Sequence, residues 1–346
     1  MSTLTAQSEV GLSARAHARW HWSEMAFWAL LLTCGFLFPS RYLIMTEIVR
    51  LGLFALSLDL ILGYAGIVSL GHAAFFGVGA YCAGLLALHG IVTEPVLALV
   101  VAGLVAMAVG FLTSFLVIRG VDLTRLMVTL GIALLLEALA ERYSDITGGT
   151  DGLQGIEMAP VLSRFAFDMF GKVGFFYSLA VLFVLFLLAR RIVHSPFGLS
   201  LRAIRNNPLR AAAVGVPVNR RLIAVYTLSA FYAGIAGALF TQTTALASLD
   251  VFAFERSADL MLVLVIGGSG YLYGGLIGAV AFKILQEFFS SITPQYWQFW
   301  IGLVFVAIVL VGRARIHRWV LFVPNLIIRQ FGGGKAVVTV PESDAS

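Results

Sequence analysis

Ten apolar runs follow one another along this chain, near residues 23–39, 44–62, 72–89, 95–118, 126–141, 173–189, 222–243, 257–268, 272–289 and 297–312. A bilayer core takes about 20 helical residues to cross. In hydrocarbon every backbone N–H and C=O has to be satisfied, which leaves helices for segments of this kind. The expected fold is therefore all-α, a polytopic transmembrane bundle of about ten spans. The first run is short, and only a Gly-rich break separates the eighth from the ninth, so the count ranges from eight to ten. Charged residues make up 12% of the 346, against about 25% in a soluble domain, which excludes an ordinary cytosolic enzyme. Cys34 and Cys82 both lie in apolar runs and form neither a disulfide framework nor a metal-type cluster.

The net charge of +5 would hint at nucleic acid in a soluble protein; here its placement matters more than its sum. With a cytoplasmic N-terminus, ten spans put sixteen of the 23 basic residues inside, among them Arg119, Arg125, Arg190, Arg191, Arg202, Arg205, Arg210, Arg220 and Arg221. Arg41, Arg142, Arg164, Lys172 and Arg256 fall outside, and Arg50 and Lys283 lie within spans. This positive-inside bias supports ten spans, because merging the eighth and ninth would carry the basic C-terminal tail across the membrane. The expected organisation is a cytoplasmic segment 1–22, a transmembrane domain 23–312 and a basic cytoplasmic tail 313–346. No small-residue cleavage site follows the first run, so it reads as an uncleaved span.

Two polar segments interrupt the runs, an outer one over 142–172 and an inner one over 190–221. In the inner segment, Ser195 and Pro196 read as a helix start and Pro208 as its stop. Between them Leu201 and Ile204 share one face, and Arg202 and Arg205 another. An amphipathic helix of this kind lies on the membrane surface or docks into a partner.

Glycine clusters at Gly63, Gly66 and Gly71 and again at Gly267, Gly270, Gly274 and Gly278. The spacing of the last three permits close helix approach. Both clusters follow an acidic residue, Asp59 and Asp259, and both fall at inner turns, which suggests a weak same-orientation repeat with Gly-broken helices. Glu47 and Arg50, three residues apart, and Lys283 and Glu287, four apart, are expected to pair within their helices. Asp59, Glu137 and Asp259 have no sequence partner and are pathway candidates. Ser69 and His72 join them, His72 most simply as an interhelical hydrogen-bonding residue.

Enzyme chemistry finds little support. Gly267-Gly268-Ser269-Gly270 matches the short GxSG pattern of an intramembrane serine protease, but the only histidine after it is His317, in the tail, so the general base is missing. No Gly-Lys pair is followed by Ser or Thr, so the chain has no phosphate-binding loop.

Three stretches, Gly63 to Phe75, Thr147 to Ile156, and Ser195 to Gly215 with Gly267 to Gly278 beyond it, resemble the permease subunits of ATP-binding-cassette importers for branched-chain amino acids, particularly the LivM type. The resemblance covers roughly 40–315. It implies a multi-pass subunit of the bacterial inner membrane that forms half of a translocation pathway and performs no covalent chemistry. It also implies two ATPase subunits that bind the ATP, with no cofactor in this chain, a second permease in a heterodimer, a periplasmic solute-binding protein, and no nucleic acid. Similar permeases carry urea, amides or aromatic acids; an ATP-independent transporter or channel is the alternative of another class. The inner helix then becomes the coupling helix that sits in an ATPase cleft, with Leu199, Leu201, Arg202, Ala203, Ile204, Arg205, Asn206, Pro208 and Gly215 as its coupling residues, Leu201 and Ile204 buried in the cleft and Arg202 and Arg205 on its rim. The Glu of the Glu-Ala-Ala loop of other importers is missing. On the outer face, Thr147, Gly148, Gly149, Asp151 and Gly152 are either binding-protein contacts or part of a simple re-entrant connection.

Overall fold

A computed structural model of the chain describes residues 22–168 and 170–311. The expected N-terminal segment ends where that description begins, and the tail 313–346 lies outside it. The described residues form thirteen α-helices and no strand of a sheet: α1 Trp22–Leu37, α2 Tyr42–Ala65, α3 Ala73–Leu88, α4 Pro95–Arg119, α5 Asp122–Arg142, α6 Ser144–Thr147, α7 Lys172–Val193, α8 Pro196–Asn206, α9 Pro208–Ala213, α10 Val218–Thr244, α11 Phe254–Gly267, α12 Leu272–Ile292 and α13 Trp297–Val311. Ten of these coincide with the ten apolar runs, and the four-residue α6 and the polar α8 and α9 lie in the two polar segments.

Six of the helices are long and apolar enough to cross a membrane, namely α2, α4, α5, α7, α10 and α12. α1, α3 and α13 are shorter apolar helices. The 14 residues of α11 rise about 21 Å at 1.5 Å each, less than the bilayer core. α11 and α3 are too short to cross as straight helices, and non-helical backbone at depth is tolerated only where protein surrounds it. Ahead of α3 that condition is met. Gly66, in the left-handed region at φ 73°, ends α2. Across the break the Leu70 N–H donates to Thr129 Oγ1 at 3.2 Å and the Ala73 N–H to Ser257 Oγ at 3.0 Å.

The chain packs as two compact units divided between Ile284 and Leu285. The second unit holds the end of α12 and α13, where Phe289 stacks on Trp300 with ring centroids 6.2 Å apart. In the first unit α2 and α10 are the inner helices, with 83% and 78% of their membrane windows buried, whereas α4 and α5 bury 33% and 22%. Small residues allow the close packing. A Cβ at Gly79 of α3 would stand 2.0 Å from the Gly234 carbonyl of α10, and one at Gly237 would stand 1.8 Å from the Phe76 carbonyl.

Long-range contacts define the helix directions. At one end Glu24 of α1 pairs with Arg190 of α7, and Arg205 of α8 meets Gly63 of α2. At the opposite end Arg50 of α2 meets Thr243 of α10, and the Gln242 side chain donates to the Pro95 carbonyl at the start of α4. The helices of the first unit thus alternate in direction as the charge pattern requires, with both ends of the 190–221 segment at the α8 end.

Candidate functional site

The α8 end is built from its local sequence. Pro196 opens the helix at its first turn, where a missing N–H costs nothing. Ser195 was expected to cap it, but its hydroxyl turns back to the Ile192 carbonyl at 2.6 Å and makes no cap bond. Pro208 ends α8 and opens α9, which is capped by the Asn207 side chain accepting the Arg210 N–H at 2.9 Å. The buried face of α8 is Gly198, Leu201 and Ile204. Leu201 is 1% and Ile204 4% exposed. This corrects the expectation that these two side chains enter a partner's cleft, because the chain's own bundle already covers them. Amphipathic spacing defines an apolar face and leaves its partner undefined. The apolar side chains that α8, α9 and the turn after them leave outward are Leu199, Leu209 and Val214.

The polar face of α8 grips the inner turns. Arg205 Nη1 donates to the Gly63 carbonyl near the end of α2, and the Arg205 stem lies against Gly66, whose Cβ would stand 3.2 Å from Arg205 Cγ. Arg202 lies over the Tyr64 ring at 5.3 Å, and Arg221 over Phe197 at 5.3 Å. The Gly270 N–H, in the turn between α11 and α12, donates to Asp59 Oδ1 at 2.7 Å. The two glycine clusters therefore meet. Gly267, Gly274 and Gly278 bring α11 and α12 into backbone contact, since a Cβ at Gly267 would fall 1.9 Å from the Gly274 carbonyl. Asp59 stands four residues before its glycine and Asp259 eight before Gly267, so Asp259, half-buried on α11, does not repeat the Asp59 bond. A cavity of about 630 Å³ opens beside this network, lined by Tyr64, Arg190, Arg202, Arg205 and Ser269 among others.

Deeper in the bundle, His72 is fully buried at the break before α3. Its Nε2 lies 2.9 Å from Ser57 Oγ of α2 and 3.3 Å from Ser229 Oγ of α10. Both hydroxyl hydrogens are already directed at carbonyls, of Phe54 and Ser57 respectively, so the ring supplies the proton from Nε2. Nδ1 then has no partner among the described residues. The ring stacks on Phe54 at 5.7 Å. Ser69 is buried in the same break, and Gly71 lets it pass the Thr129 carbonyl. Glu137 is half-exposed on α5 and joins none of these bonded groups.

Beside the intrahelical pairings expected from the sequence stands a pair across helices. Lys283 of α12 pairs with Glu47 of α2, and Arg50 turns to α10, donating to Thr243 Oγ1 at 2.7 Å and to the Phe240 carbonyl at 3.4 Å while lying over the Phe240 ring at 5.0 Å. The sequence reading also missed the Arg190–Glu24 pair, which joins α7 to α1, and Ser57 and Ser229. A lone serine in an apolar run carries almost no hydropathy signal, whereas Arg190 and Glu24 were visible as charges at span ends.

The outer segment is tied down at several points. Leu153 pairs through its backbone with Ala247, the Ala159 N–H donates to the Thr93 carbonyl at 3.1 Å, and the Thr147 hydroxyl donates to the Ala140 carbonyl. Of its five contact candidates, Gly149 and Gly152 are buried, Thr147 is half-buried, and Gly148 and Asp151 are exposed. Among the described residues no group of three or more His, Cys, Asp or Glu side chains could hold a metal ion.

The family described as the branched-chain amino acid transport system permease component matches residues 41–309. The chain is 30% identical over 254 residues to the high-affinity branched-chain amino acid transport system permease protein LivM of Salmonella typhimurium, covering 67% of this chain and 59% of that protein. It is 29% identical over 253 residues to LivM of Escherichia coli K12, with the same coverage of both chains. Over 245 residues it is 29% identical to the probable branched-chain amino acid transport permease protein LivH of Methanocaldococcus jannaschii, covering 68% of this chain and 75% of that one. The chain thus spans 59% of the length of the LivM relatives it matches. No solved structure matches it.

Proposed function

The chain belongs to the branched-chain amino acid transport permease family, and from that premise we propose that it forms half of the translocation pathway of an ATP-driven importer for a branched-chain amino acid or a related small polar solute. Two ATPase subunits bind and hydrolyse the ATP, a second permease completes the pathway, and a soluble binding protein delivers the cargo to the outer face. This chain binds no cofactor of its own. Urea, short amides and aromatic acids are the alternative cargoes.

The observation that carries this reading is the attachment of α8 to the inner turns through Arg205 and Gly63, with Asp59 and Gly270 one turn away. An ATPase dimer that closes on the α8–α9 surface pushes a short rigid helix whose buried face is packed and whose polar face is bonded to the end of α2. The displacement passes to α2 and, through Asp59, to the turn between α11 and α12, where glycines hold two backbones in contact. Leu199, Leu209 and Val214 offer the apolar anchors for the ATPase cleft. Exposed Gly148 and Asp151 are the binding-protein contacts at the opposite end.

The test replaces Arg205 with Ala in the assembled transporter. Losing a charge-assisted bond of about 1.5–3 kcal/mol should uncouple the subunits, so that ATP hydrolysis persists and solute uptake collapses. Uptake and solute-stimulated hydrolysis both at the parent level would sink the coupling role. Uptake of labelled leucine and urea in a strain lacking the chromosomal copy identifies the cargo.

A further inference from the structure

The cavity of about 630 Å³ at the α8 end lies between the start of α1, the ends of α2 and α7, α8 itself and the turn into α12. We propose that it holds the phosphodiester of an anionic phospholipid from the leaflet at that end, with the phosphate between Arg202 and Arg205 and with Asn206 and Ser269 as neutral donors. The headgroup then ties α8 to the α11–α12 turn.

The lining carries Glu24, Arg190, Arg202 and Arg205 as its charged side chains, with His194 beside them. Glu24 and Arg190 pair with each other. Arg202 and Arg205 are held by uncharged groups instead, Arg202 over the Tyr64 ring at 5.3 Å and Arg205 by the Gly63 carbonyl. Neither joins an ion pair among the described residues. Arg205 makes its bond to Gly63 from Nη1, which leaves the N–H groups of Nε and Nη2 for another acceptor. A guanidinium with part of its planar fork unused suits two oxygens of one phosphate. Asp59 lies behind the cavity, bonded to the Gly270 N–H. Counted with the lining, and with His194 neutral, it leaves a charge of +1. A phosphodiester carries one negative charge and balances it.

Depth in the membrane favours a lipid as the source of that anion. Trp22, two residues before Glu24, is 85% exposed, and Tyr271 in the cavity wall is 76% exposed. Exposed Trp and Tyr at span ends sit at the membrane–water interface. Further along the same spans, Leu30 of α1 and Ile277 of α12 are exposed as well, so acyl chains hanging from a phosphate at the interface have apolar surface to follow. A free phosphate gains the arginines and none of that surface. Basic cavities between span ends are suited to lipid headgroups for this reason.

The test uses the full chain alone, purified and delipidated in dodecyl maltoside, so its result is independent of the importer reading. Dioleoylphosphatidylglycerol is titrated in, and bound lipid is counted by native mass spectrometry. One lipid should stay bound at concentrations where dioleoylphosphatidylcholine does not. R202Q should weaken that binding about tenfold, as expected for the loss of one charge-assisted bond, and N206D, which sets a carboxylate in the wall, should weaken it as well. R210Q/R220Q removes two exposed arginines outside the cavity and should leave binding unchanged. Parent-level binding by R202Q, or by N206D where R202Q fails to fold, overturns the site. An equal loss in R210Q/R220Q overturns it too, because the attraction would then belong to surface charge in general. Displacement of the lipid by millimolar inorganic phosphate would assign the cavity to a free anion and overturn the phospholipid.

Discussion

The backbone N–H of Gly270 donates to the Asp59 carboxylate at 2.7 Å, joining the turn between α11 and α12 to α2 across 211 residues of chain. A carboxylate at the end of one span thus satisfies the backbone of a turn that no helix can satisfy, and it does so beside the helix proposed to receive the ATPase.

Asp59 is fully buried, and removing its oxygens takes away the acceptor that the part-buried Gly270 N–H uses. D59A should cost about 1–3 kcal/mol, read as a lower melting temperature of the detergent-purified chain. D59N, which keeps an acceptor oxygen, should recover most of that loss. Equal melting temperatures for D59A and the parent would show that Gly270 finds its acceptor elsewhere.

Two glycines in membrane helices should behave oppositely. A Cβ at Gly237 would stand 1.8 Å from the Phe76 carbonyl, while Gly131 on α5 has nothing within 4 Å. G237A should force α3 and α10 apart and cost about 1–3 kcal/mol as overpacking, visible as a smaller monodisperse peak in size-exclusion chromatography. G131A should leave the peak unchanged.

Within the inner segment, stability and partner binding should separate by face. L201A removes a side chain that is 1% exposed and should cost the fold about 2–5 kcal/mol. L209D alters a side chain that is 83% exposed; it should leave the melting temperature alone and weaken co-purification of the ATPase subunits. Intact co-purification of L209D together with a doubly substituted Leu199 and Val214 variant would move the docking surface away from α8 and α9.

Orientation can be read with thiol reagents after Cys34 and Cys82 are replaced. Asn206 and Asp151 are both exposed, at opposite ends of the first unit. A cysteine at position 206 should react in intact cells only with a reagent that crosses the membrane, and one at 151 with a reagent that does not. The reverse pattern would invert the topology and remove α8 from the ATPase side.

Much of the architecture was legible because it follows from solvent. Apolar runs in a bilayer have to become helices, and the glycines at 63–71 and 267–270 mark where two of those helices break. The ends of α8 were visible in Pro196 and Pro208. What those elements touch was not legible. Glu47 and Arg50 share a helix face at three-residue spacing, but α12 and α10 offer each of them a better-placed partner, and neither helix is near in sequence. The apolar face of α8 was correctly located and wrongly assigned an owner, since spacing describes only one side of a contact. His72 was expected to bond between helices and does; that its partners are Ser57 and Ser229 follows only from how α2 and α10 cross.

His72 adds a constraint on motion. One imidazole N–H serves hydroxyls on two helices and is carried by the break before a third, and rings of Phe54 and Phe75 close around it. Drawing α2 away from α10 would leave that N–H facing hydrocarbon, where an unmet donor is expensive. A motion that preserves this bond keeps α2, α10 and the break before α3 together. In the proposed importer, the middle of the chain would therefore move as one body.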